Sequence, residues 1–339
     1  MRFLAALAVV FYHYFGRPDA PDYGIVTSAS RFGYLGVPFF FMISGFVITL
    51  SAEGKSPGAF IKSRFLRLFP AYWAAVILTS LIVILFSTSS IPITTMLANL
   101  TMIHDYFDIK NVDGVYWTLQ VELKFYACIL LLILTNLLTR YRFWLSAWLG
   151  LCYLYAFTGE PFFMGKIISP SYSVYFIVGV SVFLIAYKPV LQKFGILTLL
   201  FSTPLAYYQA HSQSAGFIFD FVPIEQHIAA ITVMMSIIAL IYASKITSFR
   251  SYNYSFYVLG SLTYPLYLIH NVAGKILIAL FDTHISNVLA ATLITIFIVI
   301  GCSFAIHKMI ENPIVKILNR WITKLEIRIT RYSDKSYIK

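Results

Sequence analysis

A series of apolar stretches, each near the length of a membrane crossing and joined by short polar connections, leaves this chain few folds to choose from. They lie at about residues 3 to 15, 33 to 50, 70 to 88, 117 to 138, 143 to 158, 171 to 187, 195 to 209, 227 to 243, 255 to 281 and 286 to 307. A helix satisfies its own backbone polar groups where no water is available, and ~20 apolar residues of it match the hydrocarbon thickness. The pattern predicts an all-α polytopic membrane protein, a bundle of about ten transmembrane helices. Several stretches are short for a full crossing, so neighbouring helices must support them. With 59% hydrophobic and 12% charged residues and a mean hydropathy of +0.79, too little polar surface remains for a soluble fold.

The net charge of +11 would suggest a nucleic-acid partner in a soluble protein, but here the cations fall in short runs between apolar stretches. They are read as a topology signal, and no nucleic acid is expected. With the N-terminus cytoplasmic, the inner side collects Arg2; Lys55, Lys62, Arg64 and Arg67; Arg140 and Arg142; Lys188 and Lys193; Lys245 and Arg250; and the eight cations from Lys308 onward. Only Arg17, Arg31, Lys110 and Lys166 fall outside, while Lys124 and Lys275 lie within apolar stretches. Both termini are therefore expected in the cytoplasm. Residues 1–310 form the expected transmembrane domain and 311–339 a short basic tail, which from Asn319 onward either lies on anionic lipid or is simply solvated. Cys128, Cys152 and Cys302 sit inside apolar stretches, with neither metal-ligand spacing nor a disulfide framework. The histidines are scattered over different segments, so no metal is expected.

Ionisable groups inside a span cost roughly 2.5 to 3.5 kcal/mol each at mid-helix, so each is a candidate functional residue. They are His13, Glu122, Lys124, His270 and Lys275, with Arg2 near an interface. In a helix, the eleven positions from Arg2 to His13 bring the two side chains to one face, about 16 Å apart. Topology puts His13 and Glu122 at the same level, so the two can meet. A carboxylate there would fix the imidazole tautomer and stabilise its charged form, as a general base for an alcohol requires. Lys124, two residues from Glu122, points to a different face and has no assigned role. A buried histidine by itself can equally be a packed one, and that reading stands for His270.

In "FIKSRFLRLFPAYW" (60 to 73), Arg64 and Arg67 stand at i, i+3 on the turn that feeds the third helix, with Pro70 at the helix start. Two guanidiniums so placed can clamp phosphate, although a plain positive-inside anchor has the same appearance. In "GYLGVPFFFMISGF" (33 to 46), small residues permit close helix approach, and Ser44 is a hydroxyl that could line a pocket. Trp117, Glu122 and Tyr126 follow one another along the next helix. Before it, Asn99, His104, Asp105, Asp108 and Asp113 make a polar loop, by default solvated and at its sharpest a sugar-binding mouth.

Arg2-x10-His13, the stretch ending "SGF", "RFLR" followed by "PAYW", "YWTLQVELKFY", "LTYPLYLIHN" (262 to 271) and "ENP" (311 to 313) occur in that order along the whole chain. Together they resemble the acyltransferase-3 family of bacterial membrane O-acyltransferases, which acylate, mostly acetylate, surface glycans and some other hydroxyl compounds. The resemblance implies a multi-pass protein of the bacterial cytoplasmic (inner) membrane, with His13 catalytic and Arg64 and Arg67 contacting a cytoplasmic acyl-CoA. It also aligns Trp117, Thr118 and Glu122 with a W-T-x-x-x-E element, and Tyr267 and His270 with a late Y-x-x-H. Almost nothing precedes Arg2, which leaves open a natural start upstream, and the extracytoplasmic hydrolase-like domain of some members is absent, which implies a stand-alone enzyme.

The expected reaction moves an acyl group, acetyl first among candidates, from acyl-CoA to a glycan or other hydroxyl acceptor, with membrane lipid as the surrounding partner and no permanently bound cofactor. His13 and Glu122 are the expected catalytic pair, with His13 as base or nucleophile; Arg2, Arg64 and Arg67 are expected to bind the donor. Ser44, Trp117, Tyr267 and His270 are possible pocket residues, some of them oxyanion donors. A secondary transporter or flippase of a lipid-linked glycan is the rival reading, but paired halves with matching Gly/Pro-interrupted helices are not visible. A non-catalytic sensor or scaffold would tolerate alanine at His13 and Glu122.

Overall fold

The computed structural model describes residues 1–88, 90–160, 163–217, 223–246 and 254–336, with side chains for all of these but 254–256 and 325–336. Arg250 of the inner-side census and residues 337–339 of the tail lie outside the described residues. The described chain is helical with no strand. In order, its helices are α1 (Arg2–Phe11), α2 (Ile25–Ser30), α3 (Gly36–Ala52), α4 (Pro57–Phe86), α5 (Ile93–Asn99), α6 (Trp117–Leu134), α7 (Tyr141–Thr158), α8 (Met164–Ile167) and α9 (Pro170–Tyr187). Then come α10 (Gln192–Phe217), α11 (Pro223–Lys245), α12 (Tyr254–Ile269), α13 (Val272–Ile285), α14 (Val288–Ala305) and α15 (Asn312–Ser336). π-helical segments continue α1 through Tyr12–Gly16 and join α14 to α15 through Ile306–Glu311.

The chain is an all-α polytopic membrane protein. Among the described residues, seven helical runs are long and apolar enough to cross a membrane: Ile25–Ala52, Pro57–Phe86, Gly114–Leu134, Pro170–Tyr187, Pro189–Phe217, Pro223–Lys245 and Val288–Lys324. An eighth arises if α12 and α13, bent by 74° at their junction, count as one span. The other two expected stretches are helical but differ in character. Arg2–Gly16 is short, and α7 mixes Arg, Tyr and Trp into its apolar residues.

Helix α4 also departs from expectation. Ser56 caps it, accepting the Ala59 N–H at 3.3 Å, and Pro57 occupies its first turn. The helix therefore starts well before Pro70, which lies in its interior, and Arg64 and Arg67 project from the helix itself rather than from a turn.

Close approach between helices depends on small residues. A Cβ on Gly33 would strike the Ala8 carbonyl, and one on Gly36 the Ala5 carbonyl, so α1 lies directly against the start of α3. Gly45 and Gly179 do the same between α3 and α9, facing the carbonyls of Phe176 and Met42. Helix α9 is thereby enclosed, with nearly every side chain from Ser173 to Leu184 buried among α3, α7, α10 and α11. On the other side, α4 packs on α12, α13 and α15, and α12 on α14. Helices α1 and α6 join the two halves.

The loop before α6 is not the solvated segment its composition suggests. Asn99, His104 and Asp113 are buried, while Asp105 and Asp108 are exposed. Asn99 bonds the Thr95 and Lys110 carbonyls and the Val112 N–H, and His104 Nε2 meets Asn111 Oδ1 at 2.8 Å. Buried polar side chains of this kind fold the loop onto itself rather than present it to water.

Candidate active site

Two cavities lie along α1, one at each end. The first, of about 350 Å³, is walled by α1, α3, α4, α6 and α12. Arg2, Ser44, Arg64, Arg67, Glu122 and Tyr126 are among its polar lining residues. The second, of about 320 Å³, holds His13 among Tyr12, Arg17, Tyr34, Trp117, Phe217 and Asn271. Val37 and Tyr267 line both, so a wall one side chain thick separates them. Within that wall the Tyr267 hydroxyl is 2.9 Å from Thr118 Oγ1, tying α12 to α6.

Glu122 belongs to the first cavity and not to His13, against the pairing expected from depth. Its Oε1 accepts from Ser44 Oγ at 2.7 Å and from the Tyr126 hydroxyl at 2.9 Å. Arg2 Nη2 donates to the same Ser44 Oγ at 3.4 Å. The physical reason is helix direction. Trp117 at the start of α6 reaches the His13 cavity, and five residues at 1.5 Å rise carry Glu122 about 7.5 Å toward the opposite end, where α1 presents Arg2.

Each arginine of the first cavity is held in place. Arg64 donates to Ser63 Oγ at 3.0 Å and lies over the Phe60 and Tyr126 rings. Arg67 lies over the Tyr264 ring and donates to Glu311 Oε1 at 3.1 Å. Three guanidiniums with a carboxylate and hydroxyls between them suit a ligand that combines anionic groups with a polar, uncharged arm.

The partner of His13 is His270. Their ring centroids are 5.0 Å apart at 64°. His270 sits at the break between α12 and α13 and is fully buried. Its Nδ1 is 2.8 Å from the Tyr267 carbonyl, which can only accept, so Nδ1 carries the proton and Nε2 is left with a lone pair. That Nε2 and His13 Nδ1 are both buried with no hydrogen-bond partner among the described residues. Two imidazoles edge to face at this distance, with a free acceptor nitrogen on one, place that nitrogen where it can answer a charge on the other ring.

The break that places His270 is held by Asp113. Its Oδ1 accepts from Asn271 Nδ2 at 2.7 Å and from Val115 N–H at 3.1 Å, and its Oδ2 from Val272 N–H at 2.8 Å. Burial pushes the Asp113 carboxyl up, and these three bonds oppose the rise. Farther out, Asp19 bridges Arg17 at 2.9 Å and Lys275 at 3.1 Å. Partial burial would raise its carboxyl, but the two cations hold it down at about 2. Lys124 points away from both cavities, to the Gly165 carbonyl at 3.2 Å and Ser169 Oγ at 3.3 Å.

The structure thus gathers Arg2, Ser44, Arg64, Arg67 and Glu122 in one cavity, His13 and Trp117 in the other with His270 behind, and Tyr267 between them. Sequence reasoning did not foresee the roles of Asp113, Tyr264 and Glu311. The available signals were the "ENP" triplet, the "LTYPLYLIHN" stretch that contains Tyr264, and an aspartate just before an aromatic helix start.

No curated protein and no solved structure matches the chain. The acyltransferase domain family matches residues 1–307, which takes in both cavities and the helices that build them. The chain therefore belongs to the acyltransferase-3 family and is a membrane acyltransferase.

Proposed function

We propose that this acyltransferase takes an acyl group, acetyl in the simplest case, from cytoplasmic acyl-CoA and delivers it to a hydroxyl of a surface or exported glycan across a bacterial inner membrane. One observation carries the reading: a cavity lined with three arginines and a cavity holding His13 share a wall of Val37 and Tyr267. The phosphates of the donor would lie with Arg64, Arg67 and Arg2, and the thioester arm would run along α1 past Tyr267 to His13. The basic bias of the loops toward the Arg2 end supports entry from the cytoplasm. The aromatic lining around His13 supports a sugar acceptor there.

In the transfer step, His13 takes the proton of the acceptor hydroxyl as its oxygen attacks the thioester carbonyl carbon. The carbon–sulfur bond breaks, the thiolate of CoA leaves, and the His13 proton passes to that sulfur. The rings share no hydrogen bond at rest; once His13 is charged, the free Nε2 of His270 would accept from it, directly or through a group between them, and stabilise the imidazolium, the part expected of Glu122 from sequence. A nucleophilic His13 that forms an acyl-imidazole uses the same geometry. The bend between α12 and α13 gives the transporter reading some support, yet among the described residues it is the one broken pair, whereas inverted-repeat transporters use two in matching positions.

Membranes carrying the wild-type chain should move labelled acetyl from acetyl-CoA to host glycans. His13→Ala should bind CoA yet transfer nothing, and the Arg64→Ala/Arg67→Ala pair should lose CoA binding. Full activity in His13→Ala would overturn the mechanism; a wild type that binds no CoA and acetylates no glycan would overturn the function.

A further inference from the structure

The "ENP" triplet lies outside both cavities, and the role of its glutamate is visible only in three dimensions. Glu311 is 5% exposed and ends the π-helical segment Ile306–Glu311, a wound-out turn of a kind often found at functional places. Its Oε1 accepts from Arg67 Nη1 at 3.1 Å, and its Oε2 is 2.8 Å from His307 Nδ1. The second nitrogen of His307 is 3.3 Å from Asn312 Nδ2, a donor, which leaves the His307 proton on Nδ1, directed at Glu311. The carboxylate is thus gripped from one side by its own helix and grips Arg67 on the other. Arg67 lines the donor cavity; Glu311 does not.

We infer that Glu311 is a positioning residue for the donor, acting through Arg67; this rests on the acyl-CoA reading above. A guanidinium bound at Nη1 and stacked over Tyr264 loses the freedom of a long side chain before the donor arrives. A negative charge behind the cavity also offsets the mutual repulsion of Arg2, Arg64 and Arg67 while no phosphate is bound. Glu311 stays behind the guanidinium, out of the cavity, so it does not compete with a donor phosphate for that space. Its contribution belongs to donor binding, and the transfer step at His13 is indifferent to it.

The test separates these. Glu311→Gln keeps shape and removes charge; a charge-assisted bond of this kind predicts a KM for acetyl-CoA raised about ten-fold with kcat unchanged. CoA binding by calorimetry on the purified protein should weaken by the same factor. S-acetylpantetheine, which has no phosphate, should show no change between wild type and variant. Glu311→Gln should add nothing in an Arg67→Ala background, because both act on one interaction. If Glu311→Gln folds poorly, His307→Ala, which loosens the carboxylate from the other side, should raise the acetyl-CoA KM in the same direction by less. Unchanged CoA binding, equal loss with both donors, or additive losses with Arg67→Ala would overturn the proposal. A wild type that does not bind CoA would instead overturn the donor reading beneath it.

Discussion

His13 and Glu122 are both intramembrane ionisable residues, yet the structure gives them different company and so different expected phenotypes. Glu122 accepts from Ser44 and Tyr126 and faces Arg2 in the donor cavity. Glu122→Gln is expected to act on donor KM and to leave the pH profile of transfer unmoved. His270 is where a change should strike chemistry. His270→Leu removes the nitrogen beside His13, and general acid–base assistance of this type is worth about 10²- to 10⁴-fold. The expected result is a kcat loss in that range with CoA binding retained. A kcat loss in Glu122→Gln with none in His270→Leu would restore the pairing inferred from depth.

Among the elements, the glycine contacts and the α12–α13 break are the most exacting. Gly45 has no room for a side chain, since a Cβ would fall on the backbone of Phe176. Overpacking of a buried contact typically costs about 1–3 kcal/mol, so Gly45→Val should lower the thermal midpoint in detergent and loosen α3 from α9. An unchanged midpoint would mean that these helices separate without loss. The break needs Asp113, which answers the Asn271 side chain and the Val272 N–H that the bend leaves without helical partners. Asp113→Ala strands those donors in a partly buried place, at about 1–3 kcal/mol at most, and displaces His270. Stability and transfer should fall together, whereas His270→Leu should affect transfer alone.

Across the whole molecule, two chambers with one shared wall mean that binding and transfer can be separated by thickening that wall. Val37 lines both cavities and has no polar side-chain group of its own. Val37→Trp should thicken the wall, leave CoA binding at the arginines within a few-fold and stop transfer to the acceptor. If it transfers at the wild-type rate, the thioester arm takes another route.

Much of this is legible in the sequence alone. Apolar stretches of spanning length determine membrane residence and the all-helical class, because no other backbone arrangement suits this composition in hydrocarbon. The Arg2 to His13 spacing also determines that α1 carries a cation at one end and an imidazole at the other, since helical rise is constant. Spacing gives depth, however, and not the rotation of one helix against another. The rotations follow from where Gly33, Gly36, Gly45 and Gly179 let backbones touch, where Ser56 starts α4, and where Asp113 breaks α12 from α13. Only the tertiary structure could therefore decide that Glu122 meets Ser44, that His270 meets His13 and that Glu311 reaches back 244 residues to Arg67. Each of those pairs joins distant helices whose azimuths are fixed by packing, a property of the assembled bundle and not of any one segment.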